Sequence, residues 1–279
     1  MNPLRTINNY TRDLVTLSKS ALVETTTTLL MYSGKIILGG GWAPFFILEK
    51  YGVSSNIHCG SIDIDLLLDP EIVKEPYISD ISQLLYLNNF EKLTEDPFPF
   101  RFAPPLKTGL EIYNEYPIHV EFITDLSASP RENTASPPKI VVPKIKGVRF
   151  AFNHSFTHII TAYVKEHLVT AQLKVLDPIG SIVLKAFALE SRYKEKDAYD
   201  IYMLVRYLKD PLSIREGLSK SKNDPIVQDA VSILRRKFSS RDADGPAFIA
   251  EFLATLTLEE KEQVKTDAYM RVNQILEGL

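Results

Sequence analysis

The sequence predicts an α+β protein, in which a region of mixed strands and helices comes first and an all-helical region follows. Up to about residue 176, short strand candidates alternate with helix candidates and with turns that contain proline or glycine. From Asp177-Pro178 onward the apolar spacing is helical, and an acidic cap followed by proline is a typical helix start. We therefore expect two domains, residues 1–177 and 178–279.

Apolar spacing predicts the elements of the N-terminal region. The β-branched run Thr25–Thr28 weakens the middle of the first helix, because β-branched side chains lose rotamer freedom there. In order, we expect a helix over residues 10–32, a strand over 35–38 that ends at Gly39-Gly40-Gly41, a helix over 42–50, and a strand over 61–68 that ends at Asp69-Pro70.

The middle of the chain has β character, and the remainder is helical. The stretch 157–176 suits either state, and 126–139 is rich in turn-forming residues and is expected to be a loop. The strand candidates are residues 101–102, 109–113, 118–124, 140–142 and 148–152; the helix candidates are 178–193, 195–209, 211–219, 225–238, 245–255 and 258–277.

The composition excludes several classes of protein. A formal net charge of -3 argues against broad nonspecific nucleic-acid binding, although a local basic cleft stays possible. With one cysteine, Cys59, the chain can form neither an intramolecular disulfide nor a cysteine-based zinc cage. The N-terminus lacks the layout of a signal peptide, and the apolar stretch 36–48 is too short to span a bilayer. We expect a cytoplasmic protein with no membrane partner.

Asp63 and Asp65 are the first candidate site residues. One residue apart on a strand, the two carboxylates lie on the same face, about 7 Å apart. Such a pair is costly unless a cation lies between the carboxylates, and Mg²⁺ prefers hard oxygen ligands of this kind. Taken alone, an Asp-x-Asp pair is more often a solvated strand face.

The neighbouring sequence favours the metal. Glycines at a strand-to-helix turn, here Gly40 and Gly41, let backbone N–H groups approach a phosphate. Ser61 adds a hydroxyl immediately before the aspartates, and Glu121 offers a third carboxylate on the same strand face as His119. Three carboxylates from neighbouring strands are what a two-metal site requires.

A second group of charged residues lies more than a hundred positions later. Lys185, Arg192 and Lys196 are spaced so that a helix followed by a turn presents several cations on one side. Asp197 and Asp200 are three apart and share a helical face. Cations of this kind can neutralise charge on a transferring phosphoryl group. The alternative is a surface ion-pair network at a helix junction.

The order strand, Gly-Gly, helix, then Gly60-Ser61-Ile62-Asp63-Ile64-Asp65 resembles the signature of the DNA polymerase β-like nucleotidyltransferases. The later segment, Lys185 followed by Lys196-Asp197-Ala198-Tyr199-Asp200-Ile201, is similar to a motif of the AbiEii-type nucleotidyltransferases, the toxins of type IV toxin–antitoxin systems. The resemblance spans residues 36 to about 208. It implies a polymerase β-like core, a mixed sheet flanked by helices, and a helical domain that completes the active-site cleft.

The resemblance also implies roles for individual residues. Ser61 would contact the triphosphate, Asp63 and Asp65 would bind the metal, Lys185 would face the phosphates, and Asp197 would be an essential polar residue. Many members carry an arginine where this chain has His58 or Cys59. One phosphate or structural contact that the family makes with this arginine is therefore not expected here. As third carboxylate, Glu121 is preferred to Asp125.

The leading hypothesis is therefore transfer of a nucleoside monophosphate from an NTP to an acceptor hydroxyl, with Mg²⁺ or Mn²⁺ as cofactor. By resemblance, the acceptor is RNA, in particular a tRNA 3′ end, and a cognate antitoxin is a possible partner. Two alternatives stay open: a small-molecule or protein acceptor, and a catalytically silent module that binds a partner. The basic run 234–237 with Arg241 is either a solvated face or a grip for an RNA backbone.

Overall fold

A computed structural model describes residues 6–54, 57–73, 77–92, 101–104, 117–128 and 142–279. The helices are α1 (Arg12–Thr28), α2 (Trp42–Tyr51), α3 (Tyr77–Leu87), α4 (Val148–Ala151), α5 (Pro178–Arg192), α6 (Glu195–Tyr207), α7 (Leu212–Lys220), α8 (Pro225–Lys237), α9 (Asp244–Phe252) and α10 (Leu258–Leu276). The strands are β1 (Ile36–Leu38), β2 (Ile64–Leu68), β3 (Glu91–Lys92), β4 (Arg101–Ala103), β5 (Val120–Asp125), β6 (Lys144–Ile145), β7 (Ser155–Val164) and β8 (His167–Leu176).

The protein is α+β, as predicted, with a mixed open sheet flanked by helices. The strand order is β3-β4-β5-β2-β1-β8-β7, and β6 pairs with β5. β2 runs parallel to β5, and β1 runs parallel to β8 but antiparallel to β2. Among the described residues, no helix is both long and apolar enough to cross a membrane.

The chain forms two compact units, each assembled from separate segments. The sheet unit contains the described residues of 12–42 and 61–176, and the helical unit contains those of 1–11, 43–60 and 177–279. Residues 43–60 therefore group with the helices that begin at residue 178, whereas the sequence prediction had placed them in a first domain of residues 1–177.

In the sheet unit, α1 packs against β7 and β8. Its β-branched run does not interrupt the helix, because the hydroxyls of Thr25, Thr26 and Thr27 donate to the carbonyls of the residues four positions earlier. The stretch 157–176, for which the sequence allowed either a helix or a strand, belongs to the antiparallel hairpin β7–β8. Its two turn residues, Lys165 and Glu166, both have positive φ, as a two-residue hairpin turn of type I′ requires.

The strand predicted over residues 148–152 is wrong, because Val148–Ala151 forms the short helix α4. Gly147 enters it with φ 90°, and Asp125 Oδ2 accepts the backbone N–H of Arg149 at 2.8 Å. The Asp125 carboxylate thus accepts a backbone N–H of the first helical turn, which has no partner within the helix. The apolar residues of this segment had suggested a strand. The strand predicted over 109–113, most of the one over 140–142 and most of the loop over 126–139 lie outside the described residues.

In the helical unit, α6 lies at the centre and contacts α5, α9 and α10. Every residue from Asp197 to Val205 is buried. The Asp177 side chain caps α5 by accepting the N–H of Gly180 at 2.8 Å, with Pro178 in the first turn, which confirms the predicted helix start. All six predicted C-terminal helices are present, with ends within three residues of the predicted positions.

Candidate functional sites

Four polar side chains form two neighbouring pairs, at and just before the starts of β2 and β5. Asp65 of β2 is the register partner of Glu121 of β5, and Asp63 Oδ1 lies 3.8 Å from His119 Nδ1. Ile64 and the other intervening residues are buried, whereas the four polar side chains are partly exposed. The strand predicted over residues 61–68 is shorter than expected: β2 begins at Ile64, so Asp65 lies on the strand and Asp63 lies in the bend before it. We call Asp63, Asp65, Glu121 and His119 the carboxylate row.

The glycine turn after β1 lies directly against this row. Gly40 has φ 55°, and a Cβ atom placed on it would be 1.8 Å from Asp65 Oδ2. The Gly39 N–H donates to the backbone carbonyl of Asp65 at 2.9 Å. The predicted glycine turn therefore makes close contact with a predicted metal ligand, and the place of a side chain at Gly40 is taken by the Asp65 carboxylate. Gly41 follows and is buried at the start of α2.

The segment before Asp63 is held by a buried serine. Ser18 Oγ of α1 donates to the carbonyl of Ile62 at 2.7 Å and accepts from Trp42 Nε1 at 3.2 Å. Ser61 is also buried, and its hydroxyl donates to the Asp63 carbonyl at 3.0 Å. The predicted phosphate contact, Ser61, is thus part of the turn that leads into β2. Ser18 carried no motif signal, since its role depends on a contact 44 residues away.

The donor chemistry of the carboxylate row fits Mg²⁺ or Mn²⁺, because carboxylate oxygens on one face are hard ligands. Among the described residues, however, no group of three or more His, Cys, Asp or Glu side chains is close enough together to hold a metal ion. Asp125 is engaged elsewhere. Burial raises the pKa of Asp125, but hydrogen bonds from the backbone of Arg149 and from Ser127 outweigh it and lower that pKa. This leaves Glu121 as the third carboxylate of the row.

In the helical unit, the second predicted group forms a buried ion-pair network. Lys185 Nζ of α5 lies 2.8 Å from Asp197 Oδ1 and 2.6 Å from Asp200 Oδ2. Arg192 binds Asp197 with two nitrogens, Nε and Nη2, each at 3.2 Å. Lys196 pairs with Asp200 one helical turn away. Within this unit these cations and carboxylates pair with one another, as in the ion-pair alternative, but most of the network is buried and not at the surface.

The network is charged in spite of its burial. Burial raises the pKa of Asp200, but the Lys185 and Lys196 ammonium groups more than offset this and hold it well below its usual range. Burial lowers the pKa of Lys185, and the carboxylates of Asp197 and Asp200 outweigh it, so the net shift is upward. Three cations and two carboxylates give one net positive charge.

His58 joins the same network, which its sequence position did not suggest. Its Nε2 lies 2.8 Å from Asp200 Oδ1, and its side chain has no exposed area. Burial, followed by the charge of Lys196, lowers the pKa of His58 to about 4, so the ring is neutral at pH 7. The pKa of the neighbouring Cys59 thiol is raised by burial, which argues against a nucleophilic role.

The basic run of α8 is paired with carboxylates. Arg236 binds Glu190 at 3.0 Å, and Lys237 binds Asp244 at 2.7 Å. Arg241, beyond the helix, lies 3.3 Å from Asp242. Arg236 and Arg241 are exposed, as on a solvated face, whereas Lys237 is buried. The pairings reduce the positive charge that an RNA backbone would encounter.

Comparison of the chain with models of known protein families, with curated proteins and with solved structures finds no match.

Proposed function

We propose that the protein is a metal-dependent nucleotidyltransferase of the polymerase β-like, AbiEii type. It would transfer a nucleoside monophosphate from an NTP to the hydroxyl of an RNA acceptor, with the tRNA 3′ end as first choice, and act in the cytoplasm as the toxin of a toxin–antitoxin pair. The observation that carries the proposal is the contact of the Gly40 turn with Asp65, in register with Glu121 and beside Asp63. A glycine turn packed on paired carboxylates is an arrangement that can hold both phosphates and their cations.

In this mechanism the acceptor oxygen bonds to the α-phosphorus, and the bond from that phosphorus to the β-phosphate oxygen breaks, so that pyrophosphate leaves. Asp63 and Asp65 would hold Mg²⁺ or Mn²⁺, with Glu121 as third ligand, and the metal would neutralise charge on the triphosphate. Glu121 would also take the proton of the attacking hydroxyl. Backbone N–H groups near Gly40 and Gly41, with Ser61, would orient the phosphates.

The helical unit has its own group of positive charges. Lys185 supplies an ammonium that Asp197 and Asp200 hold in one position. Arg192 is the more accessible cation, since its side chain is 42% exposed against 7% for Lys185. Of the two, Arg192 is therefore the cation of the helical unit that an anionic ligand could reach from solvent.

The test is incubation of the purified protein with each α-labelled NTP, Mg²⁺ or Mn²⁺, and total RNA. We expect labelled RNA with the wild type and none with Asp63→Ala. Asp210→Ala, which removes an exposed carboxylate outside the carboxylate row, is the matched control and should label RNA normally. Absence of label with the wild type, or equal labelling by Asp63→Ala, contradicts the proposal. Label in protein or in a small molecule would instead identify the acceptor class.

A catalytically silent module that binds a partner is the second candidate, since no ready-made group of three metal ligands occurs among the described residues. Titration calorimetry separates the two. Heat of NTP binding that depends on Mg²⁺ and is abolished by Asp65→Asn favours the enzyme, whereas no heat with any NTP favours the silent module.

A further inference from the structure

The segment from His58 to Gly60 is tied to helix α6 by side-chain hydrogen bonds. His58 Nε2 lies 2.8 Å from Asp200 Oδ1, and the Cys59 backbone N–H donates to the Tyr199 hydroxyl at 3.3 Å. His58 Nδ1 accepts the backbone N–H of Gly60 at 3.0 Å. Gly60 has φ 81°, a conformation that favours glycine. One imidazole thus connects a carboxylate of α6 with the turn at residue 60.

The two bonds fix the protonation of the ring. Because Nδ1 accepts the Gly60 N–H, it carries no proton, and the single proton of the neutral imidazole is on Nε2, which donates to Asp200. An imidazolium would place a second N–H against that of Gly60. The charged and titratable groups facing the ring are Asp200, the ammonium groups of Lys185 and Lys196, the Cys59 thiol and the Tyr199 phenol.

Asp200 does not require the histidine for charge compensation, since Lys185 and Lys196 already pair with it. The effect specific to the imidazole is therefore mechanical. It transmits the position of Asp200 to the Gly60 backbone, which is bonded directly to Ser61 of the Ser61-Ile62-Asp63-Ile64-Asp65 motif.

We propose that His58 is a positioning residue that uses its neutral, Nε2-protonated ring to hold the backbone from which Ser61 and the paired aspartates continue. The inference rests on the proposed nucleotidyltransferase function, and it makes the ion-pair network a support for the turn as well as a source of charge. His58 itself contacts neither the nucleotide nor the acceptor.

Two substitutions separate its two bonds. In His58→Asn, the amide oxygen can accept the N–H two residues later, as in an Asx-turn, but the donor to Asp200 is lost. In His58→Gln, the longer amide can donate to Asp200, but the acceptor for Gly60 is lost. His167→Asn and His167→Gln, at an exposed histidine in β8, are the matched controls.

We expect both His58 variants to lower kcat by about tenfold, the size of one lost hydrogen bond, with KM for the NTP nearly unchanged. Hydrogen exchange of the Gly60 amide should accelerate about tenfold in His58→Gln and stay slow in His58→Asn. The inference is overturned if both variants keep the wild-type kcat, or if exchange at Gly60 is the same in His58→Gln as in the wild type. An inactive wild type refutes the proposed function alone, and the Gly60 exchange then decides the positioning role.

Discussion

Gly40→Ala is the substitution that tests the geometry of the carboxylate row most directly. A residue with a Cβ pays about 1–2 kcal/mol to adopt the left-handed backbone that Gly40 has at φ 55°. Its methyl would also lie 1.8 Å from Asp65 Oδ2 and 2.9 Å from Asp65 Cβ. Rotation of the carboxylate relieves the first contact but not the second, so the backbone must shift, at a further cost of about 1–3 kcal/mol. The expected loss in free energy of unfolding is about 2–5 kcal/mol.

Urea unfolding, followed by both fluorescence and circular dichroism, measures this loss, and agreement of the two probes tests whether a single free energy applies. Gly34→Ala is the control, because a methyl there meets no atom within 4 Å and Gly34 has no positive φ. It should change stability by less than about 1 kcal/mol. If Gly40→Ala unfolds within about 0.5 kcal/mol of Gly34→Ala, the close approach of Gly40 to Asp65 is wrong, and with it the main support for the proposed site.

Three further outcomes follow from the helical unit. Lys185→Met removes the buried cation that pairs with Asp197 and Asp200, and it should lower the free energy of unfolding in urea by about 3–5 kcal/mol. A loss below about 1 kcal/mol would contradict the buried network. The pKa of His58 is lowered to about 4 in the folded protein, so the free energy of unfolding should be constant above about pH 6.5 and should fall by about 3 kcal/mol as the pH is lowered toward 4. This pH dependence should be absent in His58→Gln. If His58→Gln loses stability with pH as the wild type does, the buried neutral imidazole is not its cause. Asp177→Ala removes the cap of α5 and should lower the melting temperature by an amount corresponding to about 1 kcal/mol, whereas Asp177→Asn, which can still accept the amide, should not.

The sequence predicted those elements that depend on neighbouring residues, such as a helix cap or the alternation of a strand. The start of α5 follows from Asp177-Pro178, and the alternation that buries Ile64 and leaves Asp65 partly exposed follows from the period of a strand. Asp63 lies in the bend before β2. The hairpin β7–β8 could not be assigned, because its turn residues are Lys165 and Glu166 instead of the Asn-Gly or Asp-Gly that such turns favour.

The partners of the site residues depend on tertiary structure, which spacing does not encode. Glu121 is the register partner of Asp65 only because β2 and β5 are parallel and adjacent in the sheet. In the sequence, 55 residues lie between these two positions, so no local pattern predicts the pairing. The bond between His58 and Asp200 spans 142 positions. Polarity and burial conflict at His58 and Asp200, and it is at such conflicts that a functional constraint can override local preference.

The network also reduces the positive charge that the second motif offers to a ligand. From spacing alone, Lys185, Arg192 and Lys196 offer three positive charges to a phosphate. In the folded unit, Asp197 and Asp200 neutralise two of the three, and the lysines are the buried partners. One net charge is left, and the cation with the largest exposed surface is Arg192. Arg192→Met should therefore cost less stability in urea unfolding than Lys185→Met, because removal of the buried cation also disturbs the carboxylates that hold His58. Equal loss of stability in the two variants would show that the network does not divide into a buried, supporting lysine and an exposed arginine.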